Sequence, residues 1–487
     1  MAANVGAAAS ADVYLPSELL FLIFEKIAQE DPTFVREAFP LLVRACRDTF
    51  RSAHGSRLYE RVHVDFGGGR DHVASVVAWL APRAEYVRKL IIDMETLDDD
   101  AGYTEKDVPA ILRAVGPHLD ELSVNEGSGH SLLTGPSLWR SLSAPAANLR
   151  SLQIEAWGPD LQLSERDLAQ TLARLTRLEK LVLEFRSGGG FWGTLPVELC
   201  SCTGLRHLEI DSDQEPCILP SQISSLKHLE TLSISARTIE VVPAEMGALT
   251  GLKRLDLFGF DQLGGNEVTR FVPEELENLT SLRELTIAGR HVHAVPSFVN
   301  SLTRLERLNL SHQKGLGAAV PPAFGPEFPS MPWLREVDLS VCGLEAVPSA
   351  VLSNVPRLKI LVFHCNKLRD LPDDFWQGLP ELREENMSSN KFEALPRALA
   401  GGAAAPPLAL TRLALSQCRL SSVEELCSMP ELLFLELCSN KLTKLPDDLG
   451  QRLPQLTEIK LACNEFHRRA SRGPLGRDVA RKDRARS

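Results

Sequence analysis

A fifteen-residue stretch near the C-terminus, LLFLELCSNKLTKLP, most strongly constrains how this chain folds. It runs from Leu432 to Pro446 and follows the spacing L-x-x-L-x-L-x-x-N-x-L. Leu435 and Leu437 alternate with other residues, which predicts a short β-strand with one buried face. Asn440 follows where the chain leaves the strand, and its amide can hydrogen-bond main-chain groups of the turn. One such unit cannot bury its own leucines, so the pattern predicts stacked copies of itself.

The same spacing recurs along most of the chain. Neighbouring copies are 22 to 32 residues apart and settle near 24 in the second half. Such a period is typical of a solenoid, in which each unit packs only against its neighbours. We count fifteen copies, whose first apolar residues are Val87, Leu119, Leu149, Leu178, Leu205, Leu229, Leu252, Leu282, Leu305, Leu334, Leu358, Leu382, Leu410, Leu432 and Leu456.

A leucine–proline or valine–proline pair supports this register. Proline does not extend a sheet but fits the first turn of a short helix, so each pair predicts entry to the outer, convex side. The prolines of these pairs are Pro196, Pro220, Pro243, Pro273, Pro296, Pro348, Pro372, Pro396 and Pro446.

The motif resembles the leucine-rich repeat almost letter for letter. This resemblance implies an α/β solenoid, a horseshoe of about fifteen repeats with a parallel sheet on its concave face. We assign residues 65–466 to this domain.

Composition narrows the functional classes. The chain has 487 residues and a net charge of −11, which argues against a general nucleic-acid binder. It has no run of about 18 apolar residues, so we expect no membrane span. Residues 1–11 are alanine-rich, lack the features of a signal peptide, and are expected to be disordered. The ten cysteines show no paired spacing, which favours reduced thiols and a cytoplasmic or nuclear location.

Residues 12–64 do not follow the repeat. Leu15-Pro16-Ser17-Glu18 is typical of a helix start, and the apolar residues that follow lie on one helical stripe. From the helical pattern alone, this segment is a small all-α head that caps the open end of the solenoid. The apolar stripe also suits a partner-binding face, made of Leu15, Pro16, Leu19, Leu20, Ile23 and Phe24.

The head resembles an F-box. The segments LPSELLFLIFEKI, VRACRDTF and SRLYERVHV match the three parts of that motif, with Cys46, Arg47 and Phe50 in the second and Leu58 and Tyr59 in the third. The order F-box, short helix, repeats is similar to fungal F-box proteins with leucine-rich repeats. The resemblance implies docking on the Skp adaptor of a cullin-RING ubiquitin ligase, while the repeats hold a substrate.

A second interpretation remains open. From Leu195 onward the repeats also resemble those of intracellular Ras-group signalling scaffolds. In that case residues 12–64 act only as a cap.

The strand residues between the buried leucines face the concave side. By our count they include thirteen acids and six bases, which predicts a mostly acidic groove for a basic segment of a target protein. Alternatively, these charges only keep the sheet soluble. The acids that we select as candidate binding residues are Glu121, Glu155, Glu184, Glu209, Asp211, Asp256, Glu284, Glu336 and Asp338.

We find no motif for catalysis, for a cofactor or for a metal. The pairs Cys200/Cys202 and His291/His293 lack the four-ligand spacing of a zinc site and are assigned structural roles. Cys342 and Cys418 take the asparagine position of their repeats, together with Asn366, Asn390, Asn440 and Asn464, and are predicted to form a buried ladder.

Two further segments depart from the pattern. Glu385 replaces an expected leucine, and because a buried carboxylate is costly we expect this repeat to be distorted or shifted by one residue. Residues 467–487 form a basic tail that is expected to be disordered, and the sequence around Ser471 resembles a kinase site.

Overall fold

The computed structural model describes most of the repeat region. The described residues are 61–65, 70–94, 106–115, 118–126, 136–142, 148–157, 165–186, 194–259, 272–289, 295–313, 316–318, 330–348, 352, 354–401 and 406–466. The predicted F-box face from Leu15 to Phe24, the pair His291/His293 and the basic tail with Ser471 lie outside them.

Parallel strands form one 16-stranded sheet in the described part of the chain, and their order in the sheet is their order in the sequence. The predicted α/β solenoid is therefore confirmed. The strands are β1 (Arg61–Asp65), β2 (Lys89–Asp93), β3 (Glu121–Glu126), β4 (Ser151–Trp157), β5 (Lys180–Arg186), β6 (His207–Ile218), β7 (Thr231–Val241), β8 (Arg254–Gly259), β9 (Glu284–Ala288), β10 (Arg307–Asn309), β11 (Glu336–Asp338), β12 (Ile360–Val362), β13 (Glu384–Asn386), β14 (Arg412–Ala414), β15 (Phe434–Glu436) and β16 (Glu458–Lys460).

The sheet begins one strand earlier than the fifteen repeats predict. β1 pairs with β2 in parallel, so that Val62 and Val64 lie opposite Leu90 and Ile92. This strand lies at the end of the segment that we assigned to the helical head. Residues 61–64 therefore belong structurally to the solenoid.

The repeat leucines fill a continuous core behind the sheet. Along β2 the side chains alternate between half-buried and buried, with Leu90 and Ile92 inside. The same alternation continues in β8 and β9. Since each repeat buries its leucines against the repeats on both sides, the fold is stabilised by stacking of neighbours.

The convex side changes character along the chain. The first repeats are backed by α-helices, whereas the later ones are backed mainly by 3₁₀ helices or turns, with one short α-helix near the C-terminal end of the sheet. Within the described ranges, the α-helices are α1 (Arg70–Leu80), α2 (Asp107–Val115), α3 (Pro136–Ser141), α4 (Glu165–Leu172) and α5 (Leu449–Arg452). The 3₁₀ helices are Ala81–Tyr86, Val197–Ser201, Ser221–Ser225, Ala244–Ala248, Glu274–Asn278, Ser297–Ser301, Leu316–Ala318 and Arg397–Leu399.

Six of the nine recurring prolines directly precede a convex 3₁₀ helix in the described residues. Pro196, Pro220 and Pro243 are extended residues at the N-cap, one position before the first turn in which we expected them. The carbonyl of Pro196 accepts a 3.1 Å hydrogen bond from the Leu199 amide. Proline here ends the strand side of the repeat and leaves its carbonyl to start the helix.

The open face of the sheet as candidate binding surface

The open, concave face is built from alternate residues of each strand. We number strand positions from the residue aligned with Lys89, so positions 2 and 4 are buried and positions 1, 3 and 5 point outward. The nine predicted acids all lie at these outward positions and are half-buried. Glu121, Glu284 and Glu336 occupy position 1; Glu209, Asp256 and Asp338 occupy position 3; Glu155, Glu184 and Asp211 occupy position 5.

Position 1 is not the acidic row that the residue count suggests. Lys89 lies 2.5 Å from Glu121. Farther along, Glu284 contacts Arg254 at 2.5 Å and Arg307 at 3.3 Å, and Arg307 reaches Glu336 at 3.2 Å. From β8 to β11, bases and acids therefore alternate at position 1 and pair with one another.

Negative charge is concentrated at position 5 of the early strands. The parallel register places Glu155, Glu184 and Asp211 side by side on β4, β5 and β6. Asp93 takes the same position on β2. At about 4.8 Å between strands, the carboxylates of Glu155, Glu184 and Asp211 form a compact acidic row. Asn125 on β3 separates this row from Asp93. The acids of this row lie in the part of the groove where the sequence predicts the densest set of acidic residues.

Two position 3 acids have shifted pKa values of opposite sign. On β6, a hydrogen bond from His207 lowers the pKa of Glu209, whose carboxylate lies 3.3 Å from the imidazole. Burial raises the pKa of Asp256, although a hydrogen bond with Thr286 and the charge of Arg254 act in the other direction. Glu209 is therefore held as a charged group, while Asp256 is protonated more readily than an exposed aspartate.

The polar ladder predicted from the asparagine positions is confirmed. Asn366 Oδ1 accepts from the amides of Cys342 and Leu344 at 3.1 and 3.0 Å, and its Nδ2 donates to the carbonyl of Leu339 at 2.8 Å. Asn440 bonds Cys418 and Leu420 in the same way. Burial raises the pKa of Cys342 to about 12, so it is a neutral rung of the ladder and not a nucleophile.

The repeat around Glu385 is neither distorted nor shifted, so that expectation is wrong. Glu385 lies in register between Leu361 of β12 and Leu413 of β14 and is only 2% exposed. Neither carboxyl oxygen has a hydrogen-bond partner in the described part of the chain. Burial raises the pKa of this carboxyl well above its ordinary value, so the group is buried in its neutral form.

Sequence reasoning missed an apolar and aromatic element of the same face. On β12, Ile360 and Val362 occupy outward positions where most strands carry polar residues. On β15, Phe434 lies under the guanidinium of Arg412, with 4.6 Å from the Arg412 Cζ to the ring centroid. The signal was present in the sequence as apolar letters at outward positions, but counting charges alone did not reveal it.

The other groups of chemical interest are already satisfied. A shallow pocket of about 310 Å³ at the edge of the sheet is lined by Arg150, Arg177 and Arg206. These arginines contact Glu179 at 2.7 Å, Asn148 at 3.0 Å and Glu230 at 2.8 Å, respectively. Cys200 and Cys202 are buried thiols. Among the described residues, no three His, Cys, Asp or Glu side chains are grouped to hold a metal ion.

No helix in the described residues has the length and apolar character needed to span a membrane.

Comparison with known proteins agrees with this geometry. The model of the leucine-rich repeat region matches residues 196–473. Mouse podocan is 26% identical over 322 residues, which cover 66% of this chain and 49% of podocan. Human vasorin is 28% identical over 177 residues, covering 35% of this chain and 24% of vasorin. The chain thus spans half or less of the length of these relatives.

A solved structure of a Leptospira interrogans leucine-rich repeat protein has the same fold. It superposes with a TM-score of 0.52 and 20% sequence identity, covering 83% of this chain and 96% of that protein.

Proposed function

Because this chain belongs to the leucine-rich repeat family, whose solenoids are protein-interaction scaffolds, we propose that it is the substrate-recognition subunit of an SCF-type cullin-RING ubiquitin ligase. The solenoid holds a target protein, and the F-box-like head, residues 12–64, binds the Skp adaptor. The protein itself supplies geometry and effective concentration, and the ligase supplies the chemistry.

The acidic row at position 5 is the observation that supports a basic segment as the bound part of the target. Glu155, Glu184 and Asp211 are adjacent on three successive strands, whereas acids and bases alternate at position 1 from β8 to β11. A row of like charges on one face attracts a complementary segment and speeds its encounter. The row lies on rigid, hydrogen-bonded strands, so little ordering is needed on binding.

An intracellular location is part of this proposal. Cys365 and Cys463 are exposed free thiols, which suits a reducing compartment such as the cytoplasm or nucleus.

Charge reversal tests the target side of the proposal. The double substitution Glu155→Lys and Glu184→Lys is expected to weaken binding of a fluorescein-labelled oligolysine about tenfold at low salt. Glu245→Lys with Glu277→Lys, two exposed acids of the convex helices, is the matched control and leaves binding unchanged. Equal losses in both variants would show a general charge effect and contradict a specific acidic row.

A second candidate function is a signalling scaffold of the Ras-group type, with the N-terminal helices as a cap. One observation favours it: β1 pairs with β2 over five residues and makes the end of the predicted head part of the sheet. The two functions differ in one measurable property, since only the ligase subunit binds the Skp adaptor.

A further inference from the structure

The edge of the sheet at which strands β11, β12 and β13 begin carries three successive cations. Arg335, Lys359 and Arg383 each immediately precede their strand. Their main chains are joined directly, because the Lys359 amide donates to the Arg335 carbonyl at 2.8 Å and the Arg383 amide donates to the Lys359 carbonyl at 2.9 Å. The three residues are therefore held at the strand spacing, about 4.8 Å apart.

An aromatic residue lies beside these cations. Trp333, two residues before Arg335, is 47% exposed. The guanidinium of Arg357 from the next repeat lies over its ring, 4.7 Å from the centroid. This cation–π contact orders both side chains at the surface and leaves the tryptophan partly exposed.

The charge balance changes at this point of the edge. Upstream, each base of the same row has an acid beside it: Arg206 and Lys253 share Glu230 at 2.8 and 2.5 Å. Arg283 and Arg335 likewise share Glu306 at 2.8 and 3.0 Å. For Lys359 and Arg383, no ion pair is formed within the described part of the chain.

The acids of the adjoining strand positions do not compensate this charge. Glu336 is engaged by Arg307 at 3.2 Å, and Glu384 faces Arg412 at 3.9 Å. Two rows of residues lie at this edge, one and three positions before the start of each strand. From β10 to β13 these rows contain five bases and two acids. This is a local excess of positive charge on a chain whose net charge is −11. The bases are Arg304, Arg335, Arg357, Lys359 and Arg383, and the acids are Glu306 and Glu381.

We propose that this basic–aromatic edge, consisting of Trp333, Arg335, Arg357, Lys359 and Arg383, docks an acidic segment of a partner protein that carries an apolar or aromatic side chain. The carboxylates of the segment pair with Lys359 and Arg383, and its apolar side chain packs on Trp333. Tryptophan and arginine are the residue types enriched in binding hot spots, and here they are pre-ordered by their own stacking.

The size and charge of the edge favour a peptide over a nucleic acid. The three strands β11, β12 and β13 are separated by two spacings, about 10 Å in all, which is the length of about three extended residues. A polyanion gains affinity from many phosphate contacts, whereas this edge offers few cations and lies on a net acidic solenoid. The edge is separate from the acidic row of β4–β6, so this inference does not rest on the proposed ligase function.

The test uses the full chain and a pool of fluorescein-labelled peptides about eight residues long, each rich in Asp and Glu with one central Phe, Tyr or Leu. Fluorescence anisotropy is expected to identify members that bind. Lys359→Gln with Arg383→Gln is expected to weaken the best of them about tenfold, and Trp333→Ala about fivefold.

Two exposed lysines of the same repeats provide the control. Lys367→Gln with Lys391→Gln removes the same number of charges away from the edge and is expected to leave binding unchanged. Thermal unfolding of all variants verifies that they are folded. The proposal is overturned if no peptide of the pool binds, if the control pair loses as much affinity as the edge pair, or if a single-stranded oligonucleotide binds the edge more tightly than every peptide.

Discussion

Glu385 lies directly opposite Leu361 in the parallel sheet, so that a carboxyl group occupies the position where the neighbouring repeat buries a leucine. Leu413 flanks it on the other side. Three-residue pairing with both neighbours keeps the strand in register, and the carboxyl remains inside the core.

This placement predicts a specific pH dependence. Since burial raises the pKa of Glu385, the folded state holds a proton that the unfolded state releases above its ordinary pKa of 4.5. Stability contributed by this group is complete below that pH and is lost as pH rises toward the folded-state pKa. The loss is at most about 1.4 kcal/mol per pH unit.

Glu385→Leu is therefore expected to raise the free energy of unfolding at neutral pH by about 2 kcal/mol or more, which thermal unfolding detects as a higher midpoint. The gain over the natural protein should shrink as pH falls to about 4, because protonation then removes the cost of burial. Glu384→Leu, at the adjacent half-buried position, is the control and should show no such pH-dependent gain. A constant difference between Glu385→Leu and the natural protein at all pH values would contradict a buried neutral carboxyl.

The asparagine ladder predicts a graded response to substitution. Asn390 accepts from the Leu368 amide at 3.0 Å and donates to the carbonyls of Phe363 and Met387 at 3.0 and 2.7 Å. Asn390→Ala leaves these buried groups unpaired and should cost about 2–4 kcal/mol in urea unfolding. Asn390→Cys should cost less, since Cys418 fills the same position one repeat later and donates to the Met387 carbonyl at 3.4 Å. Equal costs for alanine and cysteine would show that the ladder contributes by volume alone.

Close packing of the convex helices predicts a difference between two glycines. A Cβ on Gly247 would overlap the backbone carbonyl of Glu275 in the next repeat, which cannot move away as a side chain can. Gly247→Ala should therefore lower stability by about 1–3 kcal/mol. At Gly251 the nearest atom to a new Cβ is the Lys227 carbonyl oxygen at 3.8 Å, so Gly251→Ala should be close to neutral. Similar thermal midpoints for the two variants would rule out this contact.

Thiol reactivity should separate exposed cysteines from buried ones. Burial raises the pKa of Cys202 and Cys342 to about 12, so they form almost no thiolate at neutral pH. Among the thiols that the structure describes, Cys365 and Cys463 are the exposed ones and should react in the fast phase with a disulfide reagent. Replacing both by serine is expected to remove two equivalents from that phase. An undiminished fast phase would show that buried thiols are accessible.

The architecture could be predicted from the sequence because a solenoid repeats the same local structure in every unit. Leu435, Leu437 and Asn440 define a unit, and each further copy adds evidence for the same register. β1 was not counted among the fifteen repeats, although Val62 and Val64 suggested a strand, because Tyr59 stands where the other repeats begin with an aliphatic residue.

The binding face was only partly predictable, for a physical reason. The placement of Glu284 followed from strand alternation, but its ion pairs are with Arg254 and Arg307, which are 30 and 23 residues away in sequence. Ion pairs between neighbouring repeats require knowledge of which outward positions align across the sheet. The expectation of a shifted repeat at Glu385 also left out protonation. Protonating the buried carboxyl costs less free energy than shifting the strand by one residue, because such a shift would turn every side chain of a strand that is paired on both sides to the opposite face.

The central claim is that the head binds a Skp-type adaptor while the solenoid holds a target. Isothermal titration of the purified full chain with that adaptor tests it most directly. The account predicts saturable binding that Leu15→Ala with Pro16→Ala abolishes, whereas Leu408→Ala, an exposed leucine of the solenoid, leaves it intact. A folded chain that does not bind the adaptor would contradict the ligase function and leave the scaffold function in its place.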